Sequence, residues 1–344
     1  MSTWSELKNT PRLKNIYDTR VEIIKSIREF FWSQGFLETD TPVAVRLASQ
    51  EPYLNPVSIT ISDPNGKSEK FYLRTSPEYA LKKLLAVGYE KVFEIGKCFR
   101  DFESFGGNHN PEFTMLEWYR SPGTYQEIMS DTENLFKFVA KKLNQESVGY
   151  KNREVNISEN WDRQSMKQVW QNFVGVNLDD YLEISQMREL AKTKGYNVDS
   201  ADAYEDLFYK IFLNEVEPKL GNDRPIFVYD FPAQMTSLSR LCENDSRYAE
   251  RFELYVGGLE LANAFGELTD SKVQKEKLEE DLAKRKALGK EVWPVDPDFI
   301  SALESGVSSA GGIALGVDRM VLLFTRAKDL NETIFQSAKD QINS

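Results

Sequence analysis

The chain has 344 residues, 41% hydrophobic and 28% charged, which describes a globular protein with a sizeable core, as one large domain or two ordinary ones. Its longest apolar runs, such as Met320 to Phe324, fall far short of the roughly 18 residues a membrane span needs, so no membrane partner is expected. The net charge of −11, from 43 basic against 54 acidic residues, weighs against a chain built to grip a long RNA and favours a basic protein partner.

The N-terminal stretch Met-Ser-Thr-Trp-Ser-Glu-Leu-Lys-Asn-Thr lacks the basic-then-apolar organisation of a leader. Cys98 and Cys242 are far apart and there is one histidine, which leaves no zinc-spaced set. The inferred compartment is the reducing cytoplasm.

In chain order, residues 15–34 place Ile16, Ile23, Ile27, Phe30 and Phe31 at helical spacing, with Gly35 as terminator. Such a helix can pack on its own core or face a partner. An extended piece ends at Thr41-Pro42, and Val43 to Lys70 reads as irregular, with a turn at Pro64-Asn65-Gly66. After a short strand, Phe71 to Arg74, Ser76 is a good N-cap and Pro77 suits the first turn of a helix Glu78 to Val87. That helix turns Tyr79, Leu81, Leu84 and Leu85 inward. Glu78 either complements its dipole or faces a pocket together with Ser76.

A strand Val92 to Arg100, a loop with Gly106, Gly107, Asn108, Asn110 and Pro111, and a strand Phe113 to Tyr119 follow. A period of two puts Phe113, Met115, Glu117 and Tyr119 on one face. The spacing fits an ordinary half-buried hairpin. It also fits a site, because Arg100 near a stacking ring suits a nucleotide and a carboxylate beside a tyrosine suits an ammonium. Glu117 among apolar neighbours is costly unless a cation meets it.

Residues 121–225 read as mostly helical, with helices Thr124 to Leu143, Gln164 to Phe173, Ile184 to Lys194 and Ala203 to Val216, and carry no assigned chemistry. Lys137, Lys141 and Lys142 read as a solvated face. A β run from Pro225 to Ala233 closes at Pro232, and Arg251 to Phe265 offers two strands around Gly257-Gly258. Glu260 and Glu267 cannot share a face of a straight strand. They converge only if the chain bends, with the bend expected at Ala264 and Gly266; otherwise they are two surface glutamates. Thr269 to Leu288 is a charge-laced helix, capped at Thr269 or Asp270 and ended by Gly289, and reads as a solvated face. Gly311 to Phe324 is strand then helix, with a helix N-terminus suited to phosphate and Arg319 one turn beyond Gly316.

Taken in order, these segments resemble the motifs of class II aminoacyl-tRNA synthetases of the lysyl type. The helix and extended piece of residues 15–42 resemble motif 1. Phe99-Arg100 with His109-Asn110-Pro111-Glu112-Phe113-Thr114-Met115-Leu116-Glu117 resembles motif 2. Glu260-Leu261-Ala262-Asn263-Ala264-Phe265-Gly266-Glu267-Leu268 resembles the lysyl-type active-site strand, and Gly311 to Phe324 resembles motif 3. The resemblance covers nearly the whole chain. It implies an α+β fold, an antiparallel sheet flanked by helices, in one catalytic domain spanning 1–344 with a helical insertion over roughly 121–225, and a homodimer built through motif 1.

The resemblance also implies roles. Arg100 and Arg319 would be catalytic, at the α- and γ-phosphates of ATP, with Phe113 stacked on adenine. Glu103 would contact adenine, and His109, Asn110, Leu261 and Gly316 would complete the ATP site. Glu260 and Glu267 would hold Mg²⁺. Ser76, Pro77, Glu78, Glu117, Tyr119, Asn263, Glu267 and Ala314 would hold the amino acid. The loop departs from the pattern: Arg100-Asp101-Phe102-Glu103 stands where Arg-Asn-Glu is usual, one residue longer before His109, which leaves the alignment of 101–108 open. Gly266 stands where a larger residue is common.

With motif 1 beginning near residue 15, no room is expected for the anticodon-binding barrel of lysyl-tRNA synthetases. Ala314 stands where those enzymes usually have glycine, and one methyl in a tight pocket is worth about 1–3 kcal/mol of discrimination. Trp118-Tyr119-Arg120 and Asp230-Phe231-Pro232-Ala233 point the same way, to the truncated paralogues that attach β-lysine to elongation factor P. The implied activity is ATP-dependent activation of (R)-β-lysine as an adenylate and its transfer to a lysine of that factor, with tRNA not expected as acceptor. Alternatives are a free-standing lysyl-tRNA synthetase-like core, a ligase using α-lysine and another acceptor, or a silent paralogue, against which the intact Arg100, Glu260, Glu267 and Arg319 argue.

Overall fold

The computed structural model describes residues 4–342; Met1 to Thr3, the start of the stretch read as having no leader, and the last two residues lie outside the described residues. A short helix α1 (Trp4–Asn9) precedes α2 (Pro11–Ser33), which starts earlier than expected because Pro11 suits a first turn. Ile16, Ile23, Ile27, Phe30 and Phe31 are all buried, as their spacing predicts. After β1 (Leu37–Glu38) the span expected to be irregular contains β2 (Ala44–Val45) and β3 (Ser58–Ser62), which with β4 (Ser68–Leu73) form a small separate sheet. Strand β2 is two residues long and half-buried and β3 is mostly exposed, so neither carries much hydrophobic signal. In α3 (Glu78–Val87) Pro77 itself is the N-cap; the Glu78 N–H reaches Ser76 Oγ only at 3.4 Å.

Strands β5 (Lys91–Phe99) and β6 (Glu112–Arg120) pair in register, Phe99 opposite Glu112 and Cys98 opposite Phe113. Helix α4 (Tyr125–Leu143) carries a complete capping box between Thr124 and Glu127. Residues 121–225 are less purely helical than expected. They hold the hairpin β7 (Ser147–Tyr150) and β8 (Arg153–Asn156), strand β9 (Asp162–Ser165), and helices α5 (Met166–Phe173), α6 (Ile184–Thr193) and α7 (Tyr204–Ile211). Those helices pack a second core around Trp170 and Phe208, whose rings lie 4.8 Å apart. The remainder is β10 (Ile226–Pro232), β11 (Tyr248–Val256), β12 (Leu259–Gly266), α8 (Ser271–Ala287), α9 (Pro297–Glu304), β13 (Gly311–Gly316), α10 (Val317–Thr325) and α11 (Ala338–Ile342).

Eight strands make the main sheet in the order β1-β5-β6-β13-β12-β11-β10-β9, antiparallel except at its two ends, where β1–β5 and β9–β10 run parallel. Helices α2, α4 and α10 cover one face with the largest core, built on Phe31, Phe93, Trp118 and Phe136. The other face is left for the site, and α3, α8 and α9 wall it. No helix among the described residues is long and apolar enough to cross a membrane.

Two local features differ from expectation. The irregularity that puts Glu260 on the same face as Glu267, without bringing the two together, is a β-bulge at Leu261 and not a bend at Ala264 or Gly266: Leu254 pairs with Ala262, yet the next residue, Tyr255, pairs with Glu260. One extra residue reverses the alternation, so Glu260 shares a face with Asn263 and Phe265. Helix α8 is not solvated all round. It buries Gln274, Leu278, Asp281 and Arg285, and Arg285 donates to the carbonyls of Glu51 and Leu54, both at 2.7 Å.

Candidate active site

The open face of the sheet forms the floor of a cleft of about 930 Å³, large enough for a nucleotide and a second small molecule. Strand register sets out its residues in rows. Glu117 lies beside Ala314 and Ala314 beside Asn263; Tyr119 lies beside Gly312 and Gly312 beside Phe265. Phe113, Met115, Glu117 and Tyr119 all reach the cleft, so the period-two reading of β6 describes its inward face.

At one end the cleft is cationic and aromatic. The Arg100 guanidinium lies 5.1 Å from the centre of the Phe113 ring, and its Nε is buried without a protein partner. Arg319, in the first turn of α10, donates to the Glu260 carbonyl at 2.7 Å, with its guanidinium 4.0 Å from the Glu260 carboxylate. His109 Nδ1 lies 2.8 Å from Glu103, which joins the two sides of the motif 2 loop. A Cβ added at Gly316 would meet only the Arg319 side chain, at 3.7 Å or more, so this corner stays open for a ligand.

The other end is anionic. Glu78, Glu117 and Glu267 reach it from α3, β6 and the end of β12. Tyr119 donates to Glu117 at 2.5 Å, while Glu117 Oε2 is buried with no hydrogen-bond partner. Burial raises the Glu117 carboxyl well above the carboxylate range, with the negative Glu78 adding to it. Burial also pushes Glu267 up to about 7, against the opposing pull of Lys82. Gly312 is obligatory here: a Cβ would lie 2.2 Å from the Tyr119 ring and 2.4 Å from Glu267 Oε1.

Not every expected residue reaches the cleft in a form free to bind. Pro77 does not line it and serves as helix cap. Asn110 is buried and its amide is spent internally, donating to the Glu112 carbonyl at 2.5 Å and accepting from Ala338 N–H at 3.2 Å. Asn263 accepts from Arg251 at 3.1 Å, and Leu261 lines the cleft as the bulge residue. The two expected metal ligands separate: Glu267 lies 2.6 Å from the Lys82 ammonium, whereas Glu260 keeps a side chain 42% exposed. Among the described residues no group of three or more His, Cys, Asp or Glu forms a ready-made metal cage. Magnesium takes one or two carboxylates and completes its shell with waters and phosphate oxygens, and Glu260 beside Arg319 fits that pattern.

Other cleft residues escaped the spacing argument. Helix α7 borders the mouth with Glu205, Asp206 and Tyr209, although its region carried no assigned chemistry. Asp281 of α8 and Arg251 of β11 line it too. Lys82 holds two of the carboxylates. It could have been found as a lysine one turn past Glu78 on the inward face of an amphipathic helix.

An antiparallel sheet with arginines from the second and third motifs on one open face is the architecture of the class II synthetases. The family model described as "tRNA synthetases class II (D, K and N)" matches residues 2–339, and the chain belongs to that family. Within it, similar curated proteins include elongation factor P–(R)-beta-lysine ligases. That of Enterobacter sp. (strain 638) is 36% identical over 338 residues, 97% of each chain. That of Avibacterium paragallinarum is 35% identical over 319 residues, 92% of this chain and 93% of the relative, and that of Edwardsiella ictaluri 37% identical over 92% of each.

Proposed function

We propose that the protein is an ATP-dependent ligase that activates (R)-β-lysine as an aminoacyl-adenylate and transfers it to a lysine side chain of elongation factor P, in the cytoplasm. The observation that carries this reading is the division of one cleft into a cationic end, with Arg100, Phe113 and Arg319, and an anionic end, with Glu78, Glu117 and Glu267. The relatives' shared name supports the particular substrate and acceptor.

ATP would lie with its adenine on Phe113, near Glu103 and His109, its α-phosphate at Arg100 and its γ-phosphate at Arg319. The amino acid would place its amines among Glu78, Glu117, Tyr119 and Glu267, close to Ser76, Asn263 and Ala314. Its carboxylate oxygen attacks the α-phosphorus in line and the bond to the β-phosphate oxygen breaks, releasing pyrophosphate. The arginines stabilise charge gathering on the phosphate oxygens. When bound, Mg²⁺ would supply further charge neutralisation there, with Glu260 as its protein ligand. The neutral ε-amine of the acceptor lysine then attacks the acyl carbon and AMP leaves. No covalent nucleophile is needed from the protein, since proximity and the activated acyl group drive the second step. The exposed Val21 and Trp32 of α2, with Leu37 beyond it, support a homodimer across this helix; Trp32→Glu should then move the sedimentation coefficient to that of a monomer.

The deciding experiment is ATP–pyrophosphate exchange with (R)-β-lysine and L-α-lysine, followed by mass spectrometry of elongation factor P. Exchange favouring β-lysine, with one lysyl unit added to the factor, is expected. Exchange with α-lysine and an unmodified factor would move the assignment to another acceptor, and no exchange with either isomer would reject the substrate.

A further inference from the structure

Lys82 is a lysine only 2% exposed at the anionic end of the cleft. Its ammonium lies 2.5 Å from Glu78 Oε1, one turn back on the same helix, and 2.6 Å from Glu267 Oε2, at the end of β12. It therefore ties α3 to the sheet through Glu267, which lies beside the row Tyr119, Gly312, Phe265. Burying a charge is unfavourable unless partners meet it, and here two do.

The surroundings give this pair of contacts a purpose beyond packing. Three carboxylates, Glu78, Glu117 and Glu267, reach the same end of the cleft, and among the described residues Lys82 is the ammonium ion-paired with two of them. Without it, two buried carboxylates would face each other across the pocket and at least one would take up a proton. With it, both carboxylates are held aimed inward, and one cation is set against three groups that can each carry a negative charge. We propose that Lys82 is a specificity-determining positioning residue: a built-in cation that sets the anionic end to accept a diammonium amino acid. This rests on the reading of that end as the amino-acid site. The charged and titratable groups facing the cluster are Glu78 from α3, Glu117 and Tyr119 from β6, Arg240 from the segment after β10, and Glu51 facing Glu78. Burial disfavours the ammonium, but Glu267 and Glu78 outweigh it and hold Lys82 above the usual lysine range.

The test is ATP–pyrophosphate exchange with Lys82→Met, which keeps most of the volume and removes the charge. The KM for the diamino acid should rise at least tenfold at pH 7 while the KM for ATP stays within twofold. The pH at which the amino-acid KM levels off should move up by more than one unit, because burial then acts on the Glu267 carboxyl without the opposing ammonium. Lys82→Ala should regain activity with n-propylammonium in the buffer and not with n-propanol. Equal rescue by both, or matching losses for ATP and amino acid, would reduce Lys82 to a packing element and overturn the proposal. Nitrogen-15 NMR of lysine ammonium groups in the unaltered protein adds a readout that needs no variant. A solvent-protected ammonium resonance that shifts when the diamino acid is added supports the role, and its absence counts against it. Wild-type protein that exchanges with no lysine isomer rejects the substrate reading instead, which keeps the two failures apart.

Discussion

At the scale of single residues, the cleft depends on places where a side chain is missing as much as on those where one is present. Gly312 lets the Tyr119 ring and the Glu267 carboxylate lie across β13 at distances no Cβ tolerates. Gly312→Ala should push both aside, costing about 1–3 kcal/mol of stability by overpacking. It should also raise the amino-acid KM well beyond the ATP KM, and a thermal melt paired with exchange kinetics reads both effects. Protonation belongs to the same scale. Burial pushes Glu267 up to about 7 and raises Glu117 well above the carboxylate range, whereas an ammonium is held by the ionised forms. Where the free site holds a proton, binding must expel it, so the amino-acid KM should climb as pH falls below about 7 and flatten above it. The slope for one proton approaches about tenfold per pH unit. A KM profile from pH 6 to 8.5 checks this, and an amino-acid KM independent of pH over that range would contradict it.

At the scale of elements, one inserted residue decides what β12 can do. Regular alternation would send Glu260 to the face opposite Asn263 and Phe265, into the apolar layer beneath the sheet. The bulge at Leu261 returns it to the cleft beside Arg319. Inserting one residue between Leu254 and Tyr255 of β11, opposite Leu261, should restore regular pairing and turn Glu260 away from the cleft. Exchange should then fall by at least a hundredfold, and a crystal structure or a circular dichroism spectrum would show whether the sheet persists. Helix α8 teaches the converse about elements. Its charged composition reads as a solvated face, yet Arg285 and Asp281 are buried because loop carbonyls and the cleft wall meet them.

At the scale of the whole molecule, the three motifs meet at a buried charge pair. Arg20 of α2 donates to Asp318 of α10 at 2.5 Å and to Thr114 of β6 at 2.9 Å, and Asp318 accepts from the Thr114 N–H at 2.7 Å. Phe113 and Arg319 are the immediate neighbours of these residues, so the covering helix is tied to the nucleotide end of the cleft. Arg20→Met would leave Asp318 buried with its charge partner gone, at a cost of about 3–5 kcal/mol. A lowered melting temperature with a larger loss for ATP than for amino acid is the expected outcome, and an unchanged ATP KM would argue against the coupling.

Much of this was legible in one dimension because its causes are local. The inward spacing of Ile16 to Phe31 on α2, the alternation from Phe113 to Tyr119 and the Gly316-to-Arg319 helix start all depend on neighbours within a few residues. The short strands β2 and β3 were hidden because pairing with β4, more than burial, holds them. What only the tertiary structure decided involves partners far apart in the chain. Glu267 meets Lys82, Arg20 meets Asp318, Asn110 is used up by the C-terminal segment, and α7 of the insertion comes to border the cleft. Local sequence shows which side chains share a face. Whether a carboxylate there is free for a ligand or already satisfied depends on which distant cation the fold delivers to it, because buried charges are settled by their partners and not by their spacing.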